Sequence, residues 1–369
     1  MKKIYLLLFL TCLSCAEPKE YDPIQFALAS DSEKIQKVMR NLQAHEVQIM
    51  VSDTEGDTYK FQINNKDYFY PASSVKFPIA LLALEKANKL AEINSKTIFQ
   101  VEGDSIKTTI RDEVQKIFAV SDNQAYNRLF EFLRPFEINT LFPFYKKLNL
   151  VRISHRVGTK NADDTQMKAV AFFKNDSVIY EQSRTNNGTI ESLNLNRIKK
   201  GKGYYKNDSL IMEPMDFSKK NYLTIAMLHE IMNRLHFPHK YEEFQRFDIT
   251  ESDRDFLLKV MHKTPKEQGF TDPEYYDSYV KFFMFGDSKD PIPDHIKMYN
   301  KVGYAYGYLT DCAYVVDTKN DISFIITATI HVNENQIFND DTYEYDEIGI
   351  PFLAELGRQV HQYYLNKKQ

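Results

Sequence analysis

From Asp31 onward, apolar residues recur at helical spacing at Ile35, Val38, Met39 and Leu42, with Asp31 or Ser32 placed to cap the start. Val47, Ile49 and Val51 then alternate with polar residues, Asp53 to Asp57 supplies a turn containing Gly56, and Tyr59, Phe61 and Ile63 alternate again, which predicts a β-hairpin. Toward the other end, Lys301 to Ala305, Tyr308 to Asp317 and Ile322 to Ile330 read as strands, the last two joined at Thr318-Lys319-Asn320-Asp321. Phe352, Leu353, Leu356 and Val360 mark a closing helix. Strands at both ends around a helical middle predict a single mixed α/β (α+β) domain over residues 31–369. Its antiparallel sheet of about five strands is assembled from both termini, flanked by helices and joined by an inserted helical lobe. A ligand site belongs in the cleft between the two parts. Lys160 to Asp216 is polar, Asn-rich and weakly periodic, and reads as an insertion or a pair of long loops.

Composition narrows the function classes. An apolar fraction of 43% over 369 residues supplies a core. A net charge of −4 without a long Lys/Arg block argues against a nucleic-acid footprint. At the N-terminus, Lys2 and Lys3 precede the apolar run Ile4 to Leu13, which is too short to span a bilayer and has the shape of a secretory signal. The run ends in Leu13-Ser14-Cys15, a sequence similar to the cleavage box of bacterial lipoproteins. On that reading residues 1–15 are the signal, Cys15 carries lipid, and 16–30 form a tether. The protein is then exported and anchored to a bacterial membrane, facing the periplasm or the cell surface. Cys12 leaves with the signal, so Cys312 stands alone and no disulfide framework is available.

Three short motifs could carry chemistry. Ser73-Ser74-Val75-Lys76 directly precedes the apolar stripe Phe77, Ala80, Leu81 and Leu84, so Ser73 opens a helix with the Lys76 amine one turn away. A serine needs an adjacent base, and a lysine made neutral by burial or by a second cation can serve. The plainer reading is a helix cap beside a solvated lysine. The spacing alone is weak evidence, since Ser278-Tyr279-Val280-Lys281 shares it. Ser121-Asp122-Asn123 sits at the entrance to the stripe Ala125, Leu129, Phe130 and Leu133. Lys301-Val302-Gly303 begins a strand, although Lys199-Lys200-Gly201 shows how common Lys-x-Gly is.

Taken in order, the three motifs resemble the Ser-x-x-Lys, Ser-Asp-Asn and Lys-Thr-Gly signature of class A β-lactamases and penicillin-binding serine hydrolases. The segments Pro71 to Leu84, Ser121 to Leu129 including Asn127, Asn221 to Ile231 and Lys301 to Val316 look like family segments in family order. The resemblance implies a β-lactamase-like fold and an acyl-serine mechanism without cofactor or metal. Ser73 would be the nucleophile, Lys76 would take or relay its proton, and Ser121 would pass a proton to the leaving nitrogen. Asn123 would hold the substrate amide, Lys301 would bind a substrate carboxylate, and the backbone beyond Gly303 would bring the Tyr304 N–H beside that of Ser73 as an oxyanion hole. The implied ligand is a small β-lactam or a cell-wall peptide, and the implied state is a monomer.

Two departures bear on turnover. Val302 stands where the family has a threonine hydroxyl, and Arg156-Val157-Gly158 stands where class A enzymes have the Glu of a deacylating loop. Glu191 in Glu191-Ser192-Leu193-Asn194 has the wrong spacing to its Asn, while Asp163 and Asp164 lie in a polar loop where acids are usually solvated. The expectation is ready acylation with slow hydrolysis. The alternatives are a peptidase, amidase or esterase of the D-Ala-D-Ala type, or a catalytically silent binding protein of the cell envelope. There is no Gly-x-Ser-x-Gly elbow, His229-Glu230 lacks a second His for zinc, and Pro238 interrupts His236 and His239.

Overall fold

The computed structural model describes residues 21–141, 143, 146 and 151–368. The signal segment and Cys15 lie outside the described residues. The body begins earlier than the predicted tether allows. Helix α1 (Pro23–Leu28) is capped by Asp22, whose carboxylate accepts from Gln25 N at 2.7 Å, and it buries Ile24, Ala27 and Leu28. The stretch from Pro23 to Leu28 is therefore folded, because its apolar residues sit in one core with those of the closing helix. Helix α2 (Glu33–Met39) follows and buries Ile35 and Val38, as its spacing predicts.

Strands β1 (Gln48–Asp53), β2 (Thr58–Phe61), β3 (Ile296–Ala305), β4 (Tyr308–Asp317) and β5 (Ile322–His331) form an antiparallel sheet in the order β3-β4-β5-β1-β2. Two N-terminal strands thus join three from the C-terminal end, in the register Val51↔Ile326, Cys312↔Thr327 and Lys301↔Cys312. Every residue of β1 is buried, as befits a strand covered on both faces, while β2 at the edge keeps exposed alternate positions. Strand β3 starts five residues before its predicted beginning. Ile296 and Met298 do alternate with half-buried neighbours, but the buried polar Asn300 and Lys301 interrupt the apolar pattern that would have marked it.

The side chains of the sheet divide between two cores. Ala313, Val315, Phe324 and Ile326 pack with α1, α2 and the closing helix α8 (Ile350–Lys368), whereas Cys312 and Ile325 point into the helical lobe. The lobe holds α3 (Lys76–Lys89), α4 (Ile110–Val120), α5 (Asn123–Leu133), α6 (Ile225–His236) and α7 (Glu251–His262). Its central helix, α3, is buried around its circumference from Lys76 through Leu84, as expected of a helix enclosed on all sides.

The Lys160 to Asp216 region is more ordered than its composition suggests. Val170–Lys174 and Ser177–Gln182 form a hairpin that extends the strand Ile98–Val101, and Gly203–Lys206 with Ser209–Ile211 forms a second hairpin beside Ile337–Phe338. The first hairpin belongs to the lobe, since Phe172 lies 5.4 Å from the Phe99 ring and 5.2 Å from that of Phe132. Both turn on Asn-Asp pairs with positive φ, Asn175-Asp176 and Asn207-Asp208, residue types that tolerate the left-handed region. Phe172→Ala is expected to cost about 3–5 kcal/mol, the scale of a buried phenylalanine in a shared core. Denaturant unfolding checks this, and a loss under about 0.5 kcal/mol would mark the hairpin as an appendage.

Candidate active site

Ser73 lies in a single turn of 3₁₀ helix, Ala72–Val75, that runs directly into α3. No side chain caps this entrance, and the Ser74 hydroxyl donates instead to Pro71 O at 2.6 Å. The helix-cap reading of Ser73 and Ser74 therefore falls, as does the solvated reading of Lys76, which is 0% exposed. Ala72, immediately before the serine, has φ 47°, a left-handed conformation that costs a residue with a Cβ energy and persists only where packing imposes it.

The other motifs meet Lys76 from α4, α5 and β3. Ser121 ends α4 at φ 57°, and Asp122 caps α5 by accepting from Ala125 N at 2.7 Å. This division leaves the Ser121 and Asn123 side chains within reach of the Lys76 amine. The Lys76 amine donates to Ser121 O and, at 2.7 Å, to Asn123 Oδ1, with Ser121 Oγ at 3.4 Å. Lys301, 2% exposed, approaches from the far side and donates to Ser121 Oγ at 2.9 Å and to Val302 O at 2.7 Å. Ser121 thus bridges the two lysines. Burial lowers the Lys76 pKa to about 7, against a weaker upward pull from Asp122. Burial also holds Lys301 well below the usual lysine range, reinforced by the charge of Lys76.

Gly303 explains how strand and helix come so close. A Cβ there would lie 2.5 Å from Ser74 N, 2.6 Å from Ser73 N and 2.8 Å from Pro71 O, so only glycine lets β3 pass over the serine backbone. The next residue, Tyr304, is 55% exposed at the mouth of a cavity of about 400 Å³. Ser73, Ser121, Asn123, Gly303 and Tyr304 all line this cavity, together with Tyr70, with Val157 of the Arg156-Val157-Gly158 stretch, and with Tyr279 and Val280 from the second Ser-x-x-Lys match.

The loop that enters from the lobe brings no base. Asn127 on α5 holds Val157 by a pair of hydrogen bonds, to its N and O, each 2.9 Å. Arg156 beside it donates to Glu131 at 2.6 Å and to the carbonyls of Asp164 and Gln166. So fastened, the loop presents apolar Val157 to the cavity, with Gly158 against the Asn123 amide. No carboxylate lines the cavity among the described residues. Asp163 is exposed and 3.7 Å from the Lys220 amine, Asp164 accepts from Gln166 N at 2.9 Å, and Glu191 is exposed; none of the three lines the cavity.

The look-alike motifs have structural roles. Lys281 is buried and donates to Met261 O, Met298 O and Asn300 Oδ1 at 2.9–3.1 Å. Lys199, the lysine of Lys199-Lys200-Gly201, is exposed, and Lys200 beside it pairs with Glu46 at 2.8 Å. His229 is held between Ser52 at 2.6 Å and Thr327 at 3.0 Å, His236 packs 4.3 Å from the Tyr314 ring, and Cys312 is buried against Leu228 O. Gly303→Ala is expected to slow any reaction at Ser73 by about 10²-fold, the scale of a displacement near 1 Å, while the circular dichroism spectrum is retained. An unchanged rate would show that the close approach is dispensable.

The fold has counterparts among known proteins. A class A β-lactamase from Bacteroides cellulosilyticus DSM 14838 superposes with TM-score 0.53 at 13% identity, covering 94% of this chain and 100% of that one. The TLA-3 extended-spectrum β-lactamase gives TM-score 0.54 at 13% identity, covering 89% and 98%. A β-lactamase from Chitinophaga pinensis DSM 2588 gives 0.52 at 13%, covering 90% and 100%. At such identities these likenesses concern the fold. No curated protein matches the chain. The model of the β-lactamase enzyme family (Beta-lactamase2) matches residues 31–364, nearly the whole chain, and the protein belongs to that family.

Proposed function

We propose that the protein is a serine hydrolase that is readily acylated at Ser73 by β-lactams or related esters and amides and releases the acyl group slowly. The observation that carries this reading is the buried Lys76 amine, held by Ser121 and Asn123 one helical turn from Ser73, which lines a cavity without a carboxylate. A neutral amine has two N–H groups. Ser121 O and Asn123 Oδ1 accept them, which leaves the lone pair to take the Ser73 proton as Oγ attacks the carbonyl. Ser121 Oγ, within reach of both lysines, then carries a proton to the leaving atom. The backbone N–H groups of Ser73 and Tyr304 would hold the oxyanion, with Gly303 allowing their approach. Deacylation needs a base for water, and Val157 occupies the place the loop offers. Loss of a general base costs about 10²- to 10⁴-fold, so the acyl form accumulates.

Intact-protein mass spectrometry with a penicillin, a cephalosporin and an activated ester is expected to show an adduct on Ser73 that persists over hours and is lost in Ser73→Ala. Acylation should be slow at acid pH and rise to a plateau above about pH 7, since Lys76 acts when neutral and its pKa is lowered to about 7. An adduct that survives in Ser73→Ala, or efficient steady-state cephalosporin turnover, would contradict the reading.

We also propose that the domain works on a lipid tether at Cys15, supported by the basic start, the short apolar run and Leu13-Ser14-Cys15. Palmitate labelling in a bacterial host is expected to be lost in Cys15→Ala; labelling that persists would sink the anchor.

A further inference from the structure

The wall of the cavity carries information about the substrate that the reacting residues do not. An anionic β-lactam needs a cation or a cluster of donors for its carboxylate, because a carboxylate moved from water into an unpaired site loses its hydration without replacement. Among the residues that line this cavity there is no arginine, lysine, histidine, aspartate or glutamate. The two nearby amines are buried and do not line it: Lys76 donates to Ser121 and Asn123, and Lys301 to Ser121 and the carbonyl of Val302. Val302 is itself part of the apolar core under the sheet, so this position offers no hydroxyl donor either.

The same wall is rich in fixed aromatic surface. The exposed Tyr304 ring is backed by Tyr345 at 5.3 Å, edge to face, and by Phe282 at 6.1 Å. Tyr279 is backed in turn by Tyr275 at 5.0 Å and Tyr276 at 6.0 Å. A ring braced by other rings keeps its face in place when a ligand arrives, so little ordering cost attends binding to it.

Building on the acyl-serine reading, we propose that the site selects uncharged acyl donors, esters or amides whose aromatic or apolar acyl group lies against Tyr304 and Tyr279, over donors that carry a carboxylate beside the reacting carbonyl. In the reaction, Ser73 Oγ bonds to the acyl carbon as the C–O or C–N bond to the leaving group breaks. The hydroxyl proton passes through Lys76 and Ser121 to the departing oxygen or nitrogen, and water later releases the acid. Charge on the substrate is needed at no step.

Benzylpenicillin and its methyl ester make a matched pair, alike in acyl group and ring and different in one charge. By intact mass, the ester is expected to acylate Ser73 at least about tenfold faster than the acid, a difference of roughly 1.4 kcal/mol. Equal rates, or a faster acid, would overturn the selectivity while leaving the acyl-serine reading intact. If neither reacts, and 4-nitrophenyl phenylacetate gives no Ser73-dependent adduct or turnover, the acyl-serine reading fails and this inference fails with it. For the aromatic wall, Tyr304→Ala is expected to lower the ratio of kcat/KM for 4-nitrophenyl phenylacetate over 4-nitrophenyl acetate about threefold to tenfold, the scale of one aromatic contact. An unchanged ratio would overturn the placement of the acyl group on Tyr304.

Discussion

A lysine amine buried without a carboxylate partner is the constraint on which this molecule turns. Moving an ammonium out of water is so unfavourable that the group gives up its proton instead, unless a counter-ion or a full set of acceptors retains it. Lys76 meets Ser121 O and Asn123 Oδ1 closely and Ser121 Oγ only at 3.4 Å, enough to orient a neutral amine, while Asp122, the acid that acts on it, is committed to capping α5. The side chain is therefore both held in place and poised to accept a proton near neutral pH. A carboxylate beside it would give a salt bridge and an inert cation.

The two parts of the fold meet at this amine. Lys76 is the first residue of α3, the helix enclosed by the lobe, and Lys301 reaches it from the sheet through Ser121. Gly303 lets the strand run against the serine backbone, and the left-handed backbone at Ala72 and Ser121 lies at the same junction. Such strain survives where surrounding structure over-determines it, which here is the meeting of α3, α4, α5 and β3. Beneath β3, Asp311 accepts from Phe282 N at 3.0 Å and from Asn300 Nδ2 at 3.0 Å, and Asn300 Nδ2 also donates to Val280 O at 2.9 Å. The cavity wall around Tyr279 and Val280 is thereby tied to the strand that carries Lys301.

What was legible in the sequence was what is encoded locally. The Ser73–Lys76 spacing, the Ser121–Asn123 tripeptide and Gly303 each carry their geometry in a few consecutive residues, and their order along the chain distinguished them from Ser278-x-x-Lys281. That decoy lies in a turn, and its lysine is spent on carbonyls. The sheet was legible because Ile49 and Val51 alternate with other residues in β1, and because β4 and β5 are runs of apolar, aromatic and β-branched residues bounded by turn residues. Tyr70, Val157 and Tyr279 were not legible as a wall, since they come from distant segments that only the folded chain brings together. The early half of β3 was hidden by Asn300, a buried polar residue whose partners are on other segments. The hairpin around Phe172 was hidden by its exposed face, although its Asn175-Asp176 turn was a usable signal.

The most direct test of this account is the titration of the Lys76 amine itself, followed by NMR of the lysine side chains labelled with ¹³C or ¹⁵N and assigned through Lys76→Arg. The account predicts a midpoint near pH 7, as the buried position requires. An amine that stays protonated up to the ordinary lysine range, about pH 10, would contradict it, because Ser73 would then have no base beside it.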